Sequence, residues 1–121
     1  MRPHQNLDVW KKSVDFTVEI YKVTETFPKE EKFGLTSQIR RASVSIAANI
    51  AEGAARKSLK EFLNFLSIAQ GSTSEVETEL LISFRLGYCS EEVFELLFSK
   101  LNEIGRMITG LCKHLNAKSS E

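Results

Sequence analysis

The chain has 121 residues, of which 42% are hydrophobic and 26% charged, and this length and composition fit one globular domain with a single core. Its 16 basic and 16 acidic side chains cancel, which excludes a global electrostatic attraction to nucleic acid or to a membrane surface. No apolar run in the sequence reaches the ~20 residues that span a bilayer. The first residues also lack a signal-peptide pattern, so we expect a cytoplasmic protein with no membrane partner.

The sequence offers little material for catalysis. It has two histidines, His4 and His114, and no Glu-x-x-His motif of the kind that holds a di-iron centre in a helical bundle. Two cysteines, Cys89 and Cys112, are too few for a zinc tetrad or a disulfide framework, and we expect free thiols. No glycine-rich phosphate loop or nucleophile elbow is present. We therefore predict no enzymatic activity, no cofactor and no metal.

Four amphipathic segments predict helices over about 7–26, 35–55, 59–86 and 91–115. The first ends before Pro28, because the residue preceding a proline avoids the helical region. Ser58 and Glu61 form a capping box that opens the third segment, and Ser90 is an N-cap for the fourth. The predicted fold is all-α, an up-down-up-down antiparallel four-helix bundle forming one domain over residues 1–121, with a disordered tail at 117–121.

The third segment contains a glycine, Gly71, that could interrupt the helix. The apolar stripe keeps its phase across this residue, whereas a true break normally resets the rotation. We predict one continuous helix, with Gly71 and Ser72 at a close helix crossing.

The first segment carries two apolar stripes, although a bundle helix needs only one. We assign one stripe to the core and predict that a second copy of the chain covers the other. The predicted core stripe is Leu7, Trp10, Val14, Val18 and Tyr21; the predicted oligomer interface is Val9, Phe16, Ile20, Val23 and Phe27. The alternative is a single wide core face that the linker residue Phe33 covers.

The second segment carries a polar stripe beside its apolar one. Its members are Gln38, Arg41, Ser45, Asn49, Glu52 and Arg56. Glu52 and Arg56 have the spacing of an i,i+4 helix ion pair. In the alternative interpretation, Asn49 and Glu52 are partly buried against a neighbouring helix and fix its register, so we add both to the predicted oligomer interface.

Charge is distributed unevenly along the chain. One basic cluster predicts a nucleic-acid-binding surface, because lysine and arginine contacts to phosphate do not depend on sequence. Its members are Arg40, Arg41, Arg56, Lys57 and Lys60. In the alternative, this cluster is a solvated face that pairs with an acidic patch of another subunit. The acidic residues are Glu75, Glu77, Glu79, Glu91, Glu92 and Glu95.

Several stretches resemble a known bacterial family. They are VWKKS from Val9, FPKEEKFGLTSQIRRASVSIAANIAEG from Phe27, EFLNFLSIAQGSTSEVET from Glu61 and LGY from Leu86. Together they resemble the four-helix-bundle proteins whose founding members are encoded in intervening sequences of 23S ribosomal RNA genes, a family also labelled ribosomal-protein-like. The resemblance spans roughly residues 5–115. It implies a non-enzymatic bundle that forms five-membered rings and is associated with ribosomal RNA insertions.

A more distant similarity is to the accessory variability proteins of diversity-generating retroelements, which are ring-forming partners of a reverse transcriptase. Those proteins are strongly basic, whereas this chain is neutral. We therefore predict a non-catalytic homo-oligomeric scaffold, a pentamer, that binds RNA or DNA through the basic cluster. The alternative is a protein-interaction module or accessory subunit of a reverse transcriptase.

Overall fold

A computed structural model describes residues 2–119, with side chains through residue 118. It contains α1 (Asp8–Thr24), α2 (Leu35–Ala54), α3 (Leu59–Arg85) and α4 (Glu91–Ser119). Short 3-10 turns occupy Pro3–Asn6 and Lys29–Glu31, and residues 2–119 contain no strand. The predicted all-α fold with four helices is confirmed.

Contacts between the helices show that sequence neighbours run antiparallel. The Thr17 hydroxyl on α1 donates to the Ser43 carbonyl on α2 at 3.1 Å, whereas Thr24, later on α1, accepts from Arg40, earlier on α2, at 2.8 Å. The same reversal occurs between α2 and α3 (Ser45 with Ser72, Gly53 with Phe65), between α3 and α4 (Gln70 with Thr109, Phe84 with Phe94) and between α1 and α4 (Lys12 with Glu103, Glu19 with Lys100). Consequently α1 and α3 are parallel to each other.

Local sequence explains where the helices begin and end. The Ser58 hydroxyl accepts a hydrogen bond from the Glu61 amide at 3.1 Å, which caps α3 as the capping box predicts. Gly87 has a φ of +80°, and the Tyr88 amide donates back to the Ser83 carbonyl at 2.9 Å. This left-handed glycine followed by a 6→1 hydrogen bond is the Schellman arrangement that ends a helix.

Two sequence predictions about the helices are corrected. Gly71 lies within the unbroken α3, but its position is open, because a Cβ built there meets no atom within 4 Å, and only Ser72 lies at the crossing with α2. The predicted disordered tail is wrong for residues 117–119, since α4 continues through Ser119. No glycine or proline follows Gly110, and Ala117 and Lys118 favour helix. Residues 120–121 lie outside the described part.

The two stripes of α1 face opposite to the prediction. Val9, Phe16 and Ile20 are at most 4% exposed, and they belong to the core of their own subunit together with Ile39, Ile46, Ile50, Leu66, Leu80, Leu101, Ile104 and Ile108. Phe27 is also buried, and Val23 packs against the core. The prediction that this stripe contacts a second copy is therefore wrong.

Small hydroxyl residues explain the reversal. Ser13 and Thr24 lie beside the buried stripe and are themselves buried, because their hydroxyls donate to the Val9 and Ile20 carbonyls at 2.7 Å. A hydroxyl satisfied by its own helix no longer requires water, and a small side chain lets a neighbouring helix approach. Polar residues beside this stripe in the sequence therefore do not indicate a solvent-exposed face.

The opposite stripe of α1 faces outwards. Val14, Val18 and Tyr21 are 36%, 47% and 41% exposed, while Leu7 and Trp10 are half-buried at the edge of the core. Phe33 does not cover either stripe, because it is 88% exposed. The alternative prediction, in which Phe33 covers one wide core face of α1, is therefore wrong about Phe33.

One end of the bundle has a link between its two connections. The Tyr88 hydroxyl, in the turn between α3 and α4, donates to the Glu31 carboxylate in the α1–α2 connection at 2.9 Å. The Phe27 and Tyr88 rings pack with their centroids 5.4 Å apart. The hydrogen bond to Glu31 raises the pKa of Tyr88, with smaller contributions from burial and the Glu31 charge.

Candidate interaction surfaces

The predicted nucleic-acid-binding arginines are not all free to contact a ligand. Arg40 donates from Nε to the Thr24 hydroxyl at 2.8 Å and places its guanidinium 4.6 Å from the Tyr21 ring centroid. Arg56 forms an ion pair with Glu52 and lies 4.9 Å from the Phe65 ring centroid. Both guanidinium groups therefore have packing roles between or along helices.

The remaining basic residues are exposed but do not form one cluster. Arg41, Lys57 and Lys60 make no ion pair with any residue of 2–118. Arg41 is in the second turn of α2, whereas Lys57 and Lys60 lie beyond its far end, about 24 Å away at 1.5 Å per residue. The structure thus divides the predicted basic surface between the two ends of α2.

Two residues of the α2 polar stripe make contacts within their own chain. The i,i+4 ion pair between Glu52 and Arg56 is confirmed. The Asn49 amide donates to the Ser45 carbonyl and to the Ser45 hydroxyl, both at 2.8 Å, and the Ser72 hydroxyl of α3 lies 3.0 Å from the same Ser45 oxygen. Asn49 thereby supports a polar crossing between α2 and α3. The role of Asn49 and Glu52 at a subunit contact stays a prediction.

Glycine at position 53 explains why α2 and α3 approach closely near the loop that joins them. A Cβ built on Gly53 would lie 2.8 Å from the Phe65 Cβ and 3.2 Å from the Phe62 carbonyl oxygen. Such distances leave no room for a methyl group without movement of backbone. The run of small residues in α2 therefore serves, at this residue, a helix contact inside the subunit.

Sequence reasoning placed Glu79 in an acidic patch but missed that it is buried. The residue is 6% exposed, and its Oε1 atom has no hydrogen-bond partner. Burial, together with a smaller contribution from the nearby Glu75 charge, raises the pKa of Glu79 to about 7. Its spacing with the buried Val76 and Ser83 on α3 is the signal that could have revealed this position.

Exposed apolar side chains lie on the outward faces of two helices, as a stripe on α1 and as separated residues on α3. On α1 they are Val14, Val18 and Tyr21; on α3 they are Ile68, Ile82 and Leu86. The α3 residues are between 44% and 54% exposed, which equals or exceeds the exposure of Val14 and Tyr21. Apolar patches of this kind on a small protein commonly mark contacts with another macromolecule.

A shallow groove of about 580 Å³ lies between α3 and α4. Leu81, Phe94 and Phe98 supply apolar surface there, Glu77 and Glu95 supply two acidic groups, and Arg106 supplies one basic group, so the charged lining is acidic by one. Such a lining suits an apolar segment that also carries basic side chains.

The described chain holds no arrangement that suggests metal or membrane chemistry. Within residues 2–118, no three His, Cys, Asp or Glu side chains come together as a metal site. Cys89 and Cys112 are unpaired and half-buried, and burial raises the pKa of both thiols. None of the helices described has the length and apolar character needed to cross a membrane.

Comparison with known families matches residues 5–110 to the 23S rRNA-intervening sequence protein family. The chain belongs to this family. The match covers α1, α2 and α3 completely and most of α4, so it includes the core and the exposed apolar residues of α1 and α3. The family resemblance inferred from the sequence is confirmed.

A solved structure supports the membership of the 23S rRNA-intervening sequence protein family. The crystal structure of a protein of unknown function from the S23 ribosomal protein family of Bacteroides thetaiotaomicron is 31% identical in sequence. The similarity covers 87% of this chain and 98% of that one, with a TM-score of 0.78. No curated protein matches the chain.

Proposed function

We propose that this chain assembles into a homo-oligomeric ring, a pentamer, in the cytoplasm, and acts as a non-catalytic scaffold that binds RNA or DNA. The observation that carries the assembly is the outward stripe of Val14, Val18 and Tyr21 on α1. Covering these side chains with a partner would stabilise the assembly by about 25 cal/mol for every Å² of apolar surface removed from water. We assign a second copy of the chain as the partner that covers this surface, because other copies are present wherever the protein is made.

Light scattering with size-exclusion chromatography tests the assembly. We expect a mass several times the 13.7 kDa of one subunit, and five times that value for a pentamer. A mass equal to one subunit across the concentrations at which the protein is soluble would overturn the proposal.

The nucleic-acid half of the proposal depends on Arg41, Lys57 and Lys60, the three members of the predicted set with unpaired head groups. A single subunit offers too few phosphate contacts for firm binding, but a ring repeats them in every subunit and raises the avidity. Membership of a family named for a ribosomal RNA insertion favours RNA over DNA as the ligand.

Fluorescence anisotropy with a structured RNA hairpin and a DNA duplex at low salt tests this half. In the double variant Arg41→Glu, Lys57→Glu we expect loss of binding, because both substitutions place a negative charge near phosphate. The matched control is Lys113→Glu, Lys118→Glu on α4, which changes the net charge equally. Equal binding by the two double variants, or no binding by the natural chain, would contradict a nucleic-acid role.

The groove between α3 and α4 favours a second candidate function. Its apolar floor of Leu81, Phe94 and Phe98 and its acidic Glu77 and Glu95 suit a basic segment of a protein partner, such as a reverse transcriptase. Binding of a purified reverse transcriptase that survives nuclease treatment and is lost in Leu81→Glu would favour this candidate. Binding that nuclease abolishes would favour the nucleic-acid scaffold instead.

A further inference from the structure

The groove between α3 and α4 is longer than its apolar stretch. A second, polar stretch of about 530 Å³ follows it along α4, and the two stretches share Glu77, Asn102 and Arg106 in their linings. The lining residues of α4 run from Phe94 to Lys113, a length of about 28 Å at 1.5 Å per residue. The two stretches therefore form one continuous groove with an apolar half and a polar half.

Hydrogen bonds hold the polar half of the groove in one shape. The Gln70 side-chain amide donates to the Gly105 carbonyl at 3.0 Å and to the Thr109 hydroxyl at 2.8 Å, and its oxygen accepts from the Thr73 hydroxyl at 3.1 Å. An occupant therefore meets a surface that is already formed, and binding does not have to order these side chains.

The charged groups of the groove are ordered by sign along α4. Glu95 lies beside the apolar half, and Lys113 lies at the far end of the polar half, about 27 Å away along the helix. Glu77 and Arg106 lie between them, where the two halves meet. None of the four forms an ion pair with any residue of 2–118. The groove is thus acidic at its apolar end and basic at its polar end.

A helix suits this groove better than an extended peptide. The backbone groups of an extended chain that the groove buries stay unpaired unless the chain adds to a sheet, and residues 2–119 contain no strand. A helix satisfies its own backbone and lays an apolar face against two neighbouring helices. A helix as long as the groove has about 18 residues.

Gly110 allows a helix to approach α4 closely. It lines the polar half and lies within α4, where glycine is less favourable than alanine. A Cβ built on Gly110 meets no atom within 4 Å, so packing in the described chain does not require glycine here. A side chain at this position would instead obstruct a chain that lies in the groove.

We propose that an amphipathic helix of a protein partner docks in this groove and runs antiparallel to α4. The proposal rests on the second candidate function above and specifies the partner's segment and its direction. The C-terminal half of the partner helix carries apolar residues and a basic residue that faces Glu95, and its N-terminal end carries an acidic residue that faces Lys113. Acidic residues at the N-terminus and basic residues at the C-terminus also stabilise the partner helix itself, so the charge order of the groove selects the antiparallel direction.

Two fluorescent peptides of about 18 residues test this direction. Both are alanine-rich helices with leucines in the C-terminal half. The first peptide has glutamates in its first turn and lysines in its last turn, and the second peptide has these charges exchanged. We expect the first peptide to bind about fivefold more tightly in fluorescence anisotropy at low salt, because the exchanged charges meet like charges in the groove. Failure of both peptides to bind at millimolar concentration would overturn the proposal.

Exchanging the groove charges separates docking direction from the helicity of the peptides. The double variant Glu95→Lys, Lys113→Glu keeps the net charge of the chain. We expect the preference for the first peptide to be lost or reversed in this variant. An unchanged preference would come from the peptides alone and would overturn the antiparallel docking.

A bulky side chain at Gly110 tests the position of the partner helix. Gly110→Leu should weaken binding of the first peptide at least about tenfold, because leucine occupies the space of the incoming helix, while the far-ultraviolet circular dichroism spectrum stays the same. The matched control is Gly71→Leu, since Gly71 is also open but lies on α3 outside the groove lining. Equal binding by the two variants would overturn the docking. So would a change in assembly mass confined to Gly110→Leu, because it would place a second copy in the groove.

The outcomes separate the partner helix from the candidate function on which it rests. A purified reverse transcriptase that binds the natural chain but not Leu81→Glu, together with equal affinities of the two peptides, would overturn the antiparallel helix and leave the groove function standing. The expected peptide preference without binding of the reverse transcriptase would leave the helix standing and overturn that partner.

Discussion

The two faces of α1 have similar composition but opposite environments. Phe16 and Ile20 on the inner face are at most 1% exposed, whereas Val14 and Val18 on the outer face are 36% and 47% exposed. Hydrophobic periodicity measures where apolar residues recur on a helix, and it gives both stripes. It does not say which stripe faces the core, because that depends on the residues beside each stripe and on the helices that pack there.

The largest expected effect is at the centre of the inner face. Phe16→Ala should lower the free energy of unfolding by about 3–5 kcal/mol, because it leaves a cavity in a closely packed core. Val18→Ala on the outer face should lower it by less than about 1 kcal/mol in the isolated subunit, since the side chain is already half in water. Urea denaturation of both variants checks the comparison, and equal losses would mean that the inner and outer faces have been assigned wrongly.

Glu79 sharpens the comparison because it is an acidic residue of α3 and yet is buried. Its folded-state pKa of about 7, against an ordinary value of 4.5, means that the unfolded chain releases the proton first as the pH rises. The free energy of unfolding of the isolated subunit should therefore fall between about pH 4.5 and pH 7 and then level off. The total loss is about 3 kcal/mol at 1.36 kcal/mol for each pH unit.

Glu79→Gln should remove that pH dependence, because the amide stays neutral. We expect this variant to resemble the natural chain at pH 4 and to be more stable by about 3 kcal/mol at pH 8. Urea denaturation at both pH values, at concentrations where the subunit is monomeric, measures the difference. Parallel pH profiles for the two proteins would show that the Glu79 carboxyl titrates normally.

Two glycines, one buried between helices and one exposed, provide a test with smaller expected effects. Gly53→Ala should lower the free energy of unfolding by about 1–3 kcal/mol, because the new methyl group collides with Phe65 and with the Phe62 carbonyl. Gly71→Ala should raise it by about 0.5–1 kcal/mol, since that position is helical and open. Thermal melting of the two variants should shift in opposite directions, and shifts of the same sign would contradict the placement of α2 against α3.

Much of the fold could be predicted from local chemistry. Capping by Ser58, the end of α3 at Gly87 and the continuity of α3 past Gly71 all follow from interactions within a few residues. The orientation of α1 could not be predicted in this way. It depends on Ser13 and Thr24, whose hydroxyls bond their own helix and so become compatible with burial.

The candidate surfaces were harder to predict than the fold for the same reason. Arg40 and Arg56 have the composition of a phosphate-binding cluster, but their partners, Thr24 and Phe65, come from other helices. The spacing of four residues predicted the Glu52–Arg56 ion pair correctly, because Glu52 is in the last turn of α2 and Arg56 follows two residues after its end, so the contact is local. It could not report contacts that form only when helices meet.

The hydrogen bond between Tyr88 and Glu31 makes the two ends of the bundle unequal. It ties the α1–α2 connection to the α3–α4 turn, so the helix ends that meet there are held by both interhelical packing and a loop-to-loop bond. At the opposite end, where the α2–α3 loop lies with the 3-10 turn Pro3–Asn6 and the last turns of α4, residues 2–118 form no such loop-to-loop bond. Transient local opening should therefore begin at that end, and amide protons in the last turns of α2 should exchange with solvent sooner than those in its first turns.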